Sequence, residues 1–377
     1  MHILMVSEFF PSLQNQVFSG GVEVRCFYTA LYVSKNHTIT VFARRKKGES
    51  AFEEQGKLKI YRFGREVSQT SASFVSIFSR LFYIITCIVK GISLNINLVE
   101  GSNFVTLVPV SIIGRIKKIP TIAFYPDVLL GKWKELFGSL LGGIGDLVEN
   151  SIIKLPWDKY IAISESVKQK LEKYKINSNK IEVIPCGVEL PQITIANPKL
   201  DRLIVISRLV AYKRVDWAVK LLKAIELEFP KITMLIIGSG PEEAKIKNLT
   251  KELELSNKVS FLSHVPKDKL YQELNKSLLL IHPSLIEGFG IVLIEANSYG
   301  VPFIAADIPT SKEFINKLGG LLFAQNDFSD LVNKTKELLL DKTTWKSLSK
   351  KGSSSVVDYQ WLSIAKKTET LYSQLIK

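Results

Sequence analysis

Short apolar runs alternate with helical patterns along this 377-residue chain, and this alternation limits the folds that it can adopt. Strands that are buried on both faces have continuous apolar runs, and helices between successive strands are typical of parallel α/β sheets. Six runs occur in each half of the chain, so we predict two doubly wound, Rossmann-like domains. The predicted strands are His2–Val6, Thr38–Ala43, Leu58–Phe63, Leu98–Glu100, Thr121–Phe124, Lys159–Ile163, Arg202–Ile206, Thr233–Ile237, Val259–Leu262, Leu278–His282, Pro302–Ala305 and Gly320–Phe323.

The boundary between the two domains is predicted near residues 190–200, where two prolines interrupt the periodicity. We therefore expect an N-terminal domain over residues 1–190 and a C-terminal domain over residues 191–359. The tail from Trp361 to Leu375 has the apolar spacing of an amphipathic helix.

Composition and charge narrow the class of protein. A hydrophobic content of 46% with 23% charged residues is typical of globular proteins and argues against disorder. The net charge of +14 is spread over both halves of the chain. This distribution argues against a nucleic-acid partner, and it favours a phosphorylated ligand and an anionic membrane surface.

Cysteine usage and the N-terminus indicate the compartment. Cys26, Cys87 and Cys186 have neither metal-binding nor redox spacing, which is typical of a reducing compartment. The first residues read as a strand rather than a signal peptide, and no apolar run approaches the roughly 20 residues of a membrane span. We therefore expect a cytoplasmic protein that works at the inner face of the cell membrane.

The motif with the most chemical content is Glu287-Gly288-Phe289-Gly290 with Glu295 in the following helical pattern. The glycines permit a tight turn at the start of this helix, where backbone amides and the helix dipole favour an anion. Glu295, two turns into the helix, can accept hydrogen bonds from both hydroxyls of a ribose. Glu287 can contact a second polyhydroxylated group, so the motif suits a nucleotide sugar. A glycine-capped helix start with two solvated glutamates is the alternative.

The run from Ser284 to Ala296, followed by Gly300-Val301-Pro302, resembles the signature of the retaining family 4 glycosyltransferases, also called glycosyl transferases group 1, of the GT-B fold. The resemblance implies two Rossmann-like domains that face across a cleft. The N-terminal domain would take the acceptor, the C-terminal domain the nucleotide-sugar donor, and a last helix over residues 360–377 would pack back on the N-terminal domain.

The activity that the resemblance implies is hexosyl transfer from a nucleoside diphosphate to a hydroxyl acceptor, with retention of the anomeric configuration. It implies that Glu287 and the amides of Phe289 and Gly290 position the sugar, and that Glu295 holds the ribose. Gly288 and Ile291 would line the same donor site.

A second motif, Arg208 with Lys213 ahead of a helical pattern, resembles the diphosphate clamp of the family. Cleavage of a bond to a nucleoside diphosphate leaves negative charge on the phosphate oxygens, which a guanidinium fork and an ammonium group stabilise. The position after a strand is where α/β sheets bind ligands. Two exposed basic residues on a loop are the alternative.

Two glycine turns extend the resemblance. Gly20-Gly21 resembles the first strand–helix loop of the family, whose amides approach the donor phosphate, although a flexible turn would have the same sequence. Gly238 begins a Gly-x-Gly-Pro turn that in the family lies close to the donor. Since Glu243 replaces the third glycine of a dinucleotide fingerprint, we do not expect NAD or any other cofactor.

One family residue is missing. Many members carry a histidine near the sugar, whereas this chain has Pro126 at that position and Asp127 beside it. Tyr125 or Asp127 could face the sugar instead, and Asp127 is our candidate catalytic residue, although the departing phosphate oxygen can itself take the proton of the acceptor. No Asp-x-Asp motif occurs in the sequence, so we expect no metal ion.

A membrane contact is predicted from Phe74, Phe78 and Phe82 at helical spacing, together with the basic run Arg44–Lys47. Such a contact favours a lipid-linked or cell-surface glycan acceptor, although an aromatic stripe is also typical of a core. Two other functions stay open: a nucleotide-sugar epimerase on the same scaffold and a non-catalytic nucleotide-sugar binding protein.

Overall fold

The computed structural model describes residues 1–14, 16–18, 20–67, 74–102, 104–190, 201–263 and 265–376. The chain divides into two compact units, each with its own sheet. The first unit comprises Met1–Gln16, Gly21–Cys186 and Trp361–Lys377, and the second comprises Val17–Gly20 and Gly187–Gln360. Of the predicted linker over residues 190–200, residues 191–200 lie outside the described part of the chain.

The sheet of the first unit has these strands within the described ranges: β1 His2–Val6, β2 Thr38–Lys46, β3 Phe52–Gln55, β4 Leu58–Val67, β5 Leu98–Gly101, β6 Thr121–Tyr125, β7 Lys159–Ala162 and β8 Ile181–Val183. Their order is β3-β4-β2-β1-β5-β6-β7-β8, and β3 pairs antiparallel with β4 while the other neighbours are parallel. The predicted strands include neither β3 nor the three-residue β8. Strand β3 was missed because this short edge strand is largely exposed and has no apolar run to bury.

The helices of the first unit lie on both faces of its sheet. They include α1 Gly21–Val33, α2 Phe74–Ser93, α3 Phe104–Lys117, α4 Trp133–Phe137, α5 Ser139–Ile153 and α6 Glu165–Lys173. Right-handed crossovers put α1, which leads from β1 to β2, on the opposite face from α2, α3 and α5, which lead in the other direction along the sheet. Accordingly, α2 packs beside α3 and α3 packs beside α5.

The second unit has a parallel sheet in the order β11-β10-β9-β12-β13-β14, built from β9 Arg202–Ile206, β10 Thr233–Ile237, β11 Val259–Leu262, β12 Leu279–His282, β13 Phe303–Ala306 and β14 Gly320–Phe323. Its helices include α7 Val215–Ile225, α8 Glu243–Glu252, α9 Lys267–Lys276, α10 Ile291–Ser298, α11 Pro309–Ile315, α12 Phe328–Leu340 and α13 Lys342–Ser355. The strand order reverses between β9 and β12, which is the position where doubly wound sheets bind ligands.

Apolar packing fixes β9 at the centre of the second sheet. Leu203 and Val205 of this strand are buried in one core with Leu221 and Leu222 of α7. Side chains in such a core are close-packed, so the loops that leave β9 and β12 start from rigid positions.

The last helix, α14 Trp361–Leu375, belongs to the first unit and packs against α1. The rings of Trp361 and Tyr28 stack with their centroids 5.0 Å apart. The periodicity of the tail therefore corresponds to a helix whose apolar side covers α1.

A buried polar cluster holds α14 to the sheet of the first unit. The Tyr372 hydroxyl donates to Oε2 of Glu100 on β5 at 2.7 Å, and Arg25 of α1 forms an ion pair with the other carboxylate oxygen. All three side chains are buried. Burial, followed by the charge of Glu100, raises the pKa of Tyr372 well above its usual range. The hydroxyl therefore stays protonated and keeps donating its hydrogen bond.

The basic run Arg44–Lys47 is not the exposed cluster that the sequence suggested. Because β2 continues to Lys46, Arg44 lies on the sheet, buried, with Nη1 2.8 Å from Oε1 of Glu8. Lys46 Nζ lies 3.0 Å from Oε2 of Glu23. The expectation of a free basic patch is wrong for these two residues, since each is paired with a carboxylate.

Among the described residues, none of the helices combines the length and the apolar character needed to cross a membrane. The side chain of Phe74, the first residue of α2, lies outside the described part of the structure, whereas those of Phe78 and Phe82 are exposed.

We expect Tyr372→Phe to lower the free energy of unfolding by about 1–3 kcal/mol, because Oε2 of buried Glu100 loses its donor. Urea unfolding followed by tryptophan fluorescence measures the change. Tyr61→Phe is the matched control, since the half-buried Tyr61 hydroxyl has no hydrogen bond within the described structure. An equal loss of stability in both variants would contradict the role given to Tyr372.

Candidate active site

Two loops meet at the point where the strand order of the second unit reverses. One follows β9 and carries Arg208 and Lys213, and the other follows β12 and carries Glu287. Strands β9 and β12 are parallel neighbours, so their carboxyl ends lie side by side. The predicted diphosphate clamp and the first predicted carboxylate therefore share one edge of the sheet.

Glu287 is the most constrained side chain of this site. Lys213 Nζ donates to Oε1 of Glu287, and Nε2 of His282 lies 2.7 Å from the same oxygen. Burial alone would raise the pKa of Glu287, but the charges of Lys213 and His282 outweigh burial and hold that pKa well below its usual range. The carboxylate is therefore ionised and fixed in orientation.

Arg208 lies on the same edge but is solvent-exposed. Its Nη2 donates to the hydroxyl of Tyr212 at 2.6 Å. The backbone oxygen of Tyr212 in turn accepts from the amide of Leu285 at 2.9 Å. Tyr212 thus links the guanidinium to the loop that carries Glu287.

Gly238 is required by close backbone packing. A Cβ at this position would lie 1.8 Å from the carbonyl oxygen of Ser207, and one at Gly240 would lie 2.3 Å from that of Leu209. The turn after β10 is also tied to the β9 loop, because the Leu209 amide donates to the Ser239 oxygen at 2.9 Å. These glycines therefore support the loop that presents Arg208.

The segment from Gly288 to Ile291 forms the start of α10. Gly290 has φ +79° and precedes Ile291, the first residue of the helix. The Phe289 ring is buried edge-on against Phe314, with centroids 5.1 Å apart. Phe289 can therefore contribute to a ligand site only through its backbone. The first amides of a helix have no acceptor within the helix, so this end of α10 can bind an anion.

Glu295 lies in the middle of α10 and is 6% exposed. Burial raises the pKa of its carboxyl to about 7, against the attraction of Lys267 and with the repulsion of Glu189. Lys267 is itself buried, and its Nζ lies 3.5 Å from Oε2 of Glu189. Burial lowers the pKa of Lys267.

Three residues of this site were not found from the sequence: His282, Lys267 and Glu189. His282 is the last residue of β12, and its place at the carboxyl end of a central strand is a signal that could have identified it. Lys267 has no motif around it, and the segment that ends at Glu189 reads as structural, so only tertiary structure places these two residues near Glu295.

The remaining candidates are placed elsewhere. Gly21 begins α1, and Gly20, directly before it, is exposed with open space at its Cβ position. Asp127, in the first unit, follows β6, where it forms an ion pair with Lys170 and accepts from the amide of Val128 at 2.8 Å. Its carboxylate is thus occupied by a local ion pair.

Over the part of the chain that the structure describes, no three His, Cys, Asp or Glu side chains are grouped as a metal site would require.

Two family profiles match this chain. The profile described as Glycosyl transferases group 1 matches residues 189–355, and the profile described as Glycosyltransferase Family 4 matches residues 19–192. Together they span both units, and the chain therefore belongs to the family 4 glycosyltransferases. The resemblance stated from the sequence is confirmed, and the family favours neither an epimerase nor a non-catalytic binding protein.

Relatives of known name agree with this assignment. An uncharacterized glycosyltransferase of Haemophilus influenzae is 29% identical over 205 residues, which cover 54% of this chain and 57% of that protein. The matched stretch thus spans little more than half of that relative. A phosphatidylinositol N-acetylglucosaminyltransferase subunit of Arabidopsis thaliana is 22% identical over 389 aligned positions, which cover 100% of this chain and 83% of that protein.

Among solved structures, HepE of Anabaena in complex with UDP-glucose superposes with a TM-score of 0.75 at 18% identity, covering 99% of this chain and 100% of that one. This likeness shows the fold, and the prediction of two parallel-sheet α/β domains of GT-B type is confirmed.

We expect the Glu295→Gln variant to gain stability relative to wild type as the pH rises. Between the unfolded value of 4.5 and the folded value of about 7, the unfolded wild type loses its proton first, so the folded wild type is progressively destabilised. The amide has no proton to lose. The difference in unfolding free energy should therefore move in favour of the glutamine variant by up to about 3 kcal/mol between pH ~5 and ~8.

Urea unfolding across this pH range measures the difference, and Glu252→Gln on the exposed side of α8 reports the effect of the amide substitution alone. A difference that stays constant with pH would contradict the burial of an ionisable Glu295.

Proposed function

We propose that this protein transfers a hexosyl group from a nucleoside diphosphate to a hydroxyl acceptor with retention of the anomeric configuration. The observation that carries the proposal is the Lys213–Glu287 ion pair ahead of the start of α10, with Arg208 exposed on the same edge of the sheet. Family membership supports the reaction class.

The donor is proposed to lie along this edge of the second unit. Its diphosphate would face Arg208 and the amides from Phe289 to Ile291, because both segments follow central strands at the point where the strand order reverses. Its ribose would bind Glu295, and its sugar Glu287. HepE of Anabaena, which has the same fold, binds UDP-glucose, and this supports a nucleotide-sugar donor.

In the proposed reaction, the bond between the anomeric carbon and the diphosphate oxygen breaks while the acceptor hydroxyl forms the new glycosidic bond on the same face. Arg208 and Lys213 stabilise the charge that develops on the leaving diphosphate. The departing phosphate oxygen takes the proton of the acceptor, so Asp127, already paired with Lys170, is not needed as a base. Two cations supply the required charge, and we propose that the reaction needs neither a metal ion nor a cofactor.

Gly20 and Gly21 are proposed to contact the donor phosphate through their backbone amides. Gly238 is proposed to act through the Arg208 loop, since its missing Cβ allows the close approach to Ser207 described above.

The acceptor is proposed to be a lipid-linked or cell-surface glycan precursor at the inner face of the cell membrane. A relative that aligns over the whole chain is named for transfer to phosphatidylinositol, which supports a lipid acceptor. The protein would then take part in glycan biosynthesis as a peripheral membrane protein.

The donor proposal is tested first with UDP, GDP and ADP in a thermal-shift assay. The protein is then incubated, in EDTA and without acceptor, with the hexose donor of the diphosphate that stabilises it most. At about 100 times its dissociation constant, the correct diphosphate should stabilise the protein by roughly 2.7 kcal/mol. We then expect slow release of diphosphate and an unchanged sugar. Conversion of the sugar would identify an epimerase, and loss of turnover in EDTA with recovery in magnesium would refute metal independence.

We expect Arg208→Ala and Lys213→Ala to reduce turnover at saturating donor by about 10²–10³-fold while donor binding changes much less, because the leaving-group charge is complete only in the transition state. Lys220→Ala is the control, since this exposed lysine of α7 pairs with Asp216 on the same helix. Wild-type turnover in either clamp variant would show that the residue does not stabilise the leaving group.

A further inference from the structure

The layer formed by α2, α3 and α5 on the first unit has an unusually apolar outer surface. Within the described residues, fifteen large hydrophobic side chains are exposed, and ten of them belong to these three helices. The ten are Phe78, Leu81, Phe82, Ile85, Val89, Ile112, Ile116, Ile144, Leu147 and Val148. We call these ten residues the apolar face. Concentrated exposure of this kind marks an interaction surface.

The apolar face is separate from the core of its unit. The opposite side of α2 carries Tyr83 and Cys87, both fully buried. The Tyr83 hydroxyl donates to the backbone oxygen of Ser7 at 2.8 Å, which anchors α2 to the sheet. In contrast, Phe78 and Val89 are 72% and 62% exposed on the outer side. Helix α2 is thus apolar on both sides, and its outer side is not needed for packing within the unit.

The charges on α2 and α3 have one sign, because these helices contain four basic residues and no acidic residue. Lys90 and Arg115 are exposed, and so is Lys118, which directly follows α3. On α5, Asp146 and the buried Glu149 accept hydrogen bonds from the segment that follows β6. An apolar helix face bordered by cations complements a surface that offers hydrocarbon beneath a layer of negative charge.

We propose that the apolar face is the surface with which the first unit binds an anionic lipid bilayer. The aromatic and aliphatic side chains enter the boundary between headgroups and acyl chains, while Lys90, Arg115 and Lys118 contact anionic headgroups. The helices lie in the plane of the membrane and do not cross it. The inference deepens the proposed lipid-linked acceptor, but membrane binding can be measured without donor or acceptor.

Co-sedimentation with vesicles tests the proposal. Wild type should bind vesicles of phosphatidylcholine mixed with phosphatidylglycerol at low ionic strength. Binding should be much weaker to vesicles of phosphatidylcholine alone, and much weaker to the mixed vesicles at high salt. Phe82→Gln with Ile85→Gln should weaken binding at least about tenfold. The triple variant with Lys90→Gln, Arg115→Gln and Lys118→Gln should weaken vesicle binding on the order of a hundredfold, since each cation contributes a factor of about five.

Matched controls come from the second unit. Leu227→Gln with Leu340→Gln removes two exposed leucines and is the control for the apolar variant. Lys342→Gln with Lys346→Gln and Lys350→Gln removes three positive charges from exposed positions of α13 and is the control for the α2–α3 charge variant. Both controls should bind as wild type does. Circular dichroism and donor hydrolysis, which should be unchanged in every variant, show that folding and the proposed donor site are intact.

Three results would overturn the proposal. Wild type could fail to bind anionic vesicles at low salt, or the α13 control could lose as much binding as the α2–α3 variant. The third result is a wild-type dimer, detected by light scattering, that does not bind vesicles and that Phe82→Gln with Ile85→Gln converts to a monomer. The apolar face would then be an interface between two copies of the chain. None of these results bears on sugar transfer, which the donor assays address separately.

Discussion

The ion pair between Lys213 and Glu287 is the interaction on which the candidate site depends. It joins the loop after β9 to the loop after β12, and its two residues are 74 positions apart in the chain. Because both side chains are largely buried, their mutual attraction is weakly screened. The pair keeps the carboxylate ionised and places a cation beside the helix start that can bind an anion.

Two glutamates of one motif differ because their neighbours differ. Glu287 and Glu295 both lose hydration on burial, but Glu287 has Lys213 and His282 beside it, and its pKa falls. For Glu295, burial outweighs the attraction of the buried Lys267, Glu189 adds repulsion, and the pKa rises to about 7. Burial acts on both carboxyl groups, so the difference between them comes from the charges that surround each one.

The two faces of the sheet in the first unit also differ. On one face, α1 and α14 enclose the buried cluster of Arg25, Glu100 and Tyr372, in which Nη1 of Arg25 and the Tyr372 hydroxyl each contact one carboxylate oxygen of Glu100. On the other face, α2, α3 and α5 cover the sheet and leave the apolar face outside. Right-handed crossovers assign each helix to its face, so the direction in which the chain moves along the sheet decides which helices are exposed together.

Local patterns in the chain were enough to predict the twelve main strands, the doubly wound class and the family, because apolar runs, glycine turns and the Glu287–Glu295 spacing each lie within one short segment. The pairing of charges depends instead on how distant segments pack. Arg44 is buried because β2 continues beyond the apolar run, and β3 escaped prediction because an edge strand needs no such run. Arg25 meets Glu100 across 75 positions, and Lys267 comes near Glu295 from another helix. Such partners follow from how the elements pack, and no local pattern in the chain encodes them.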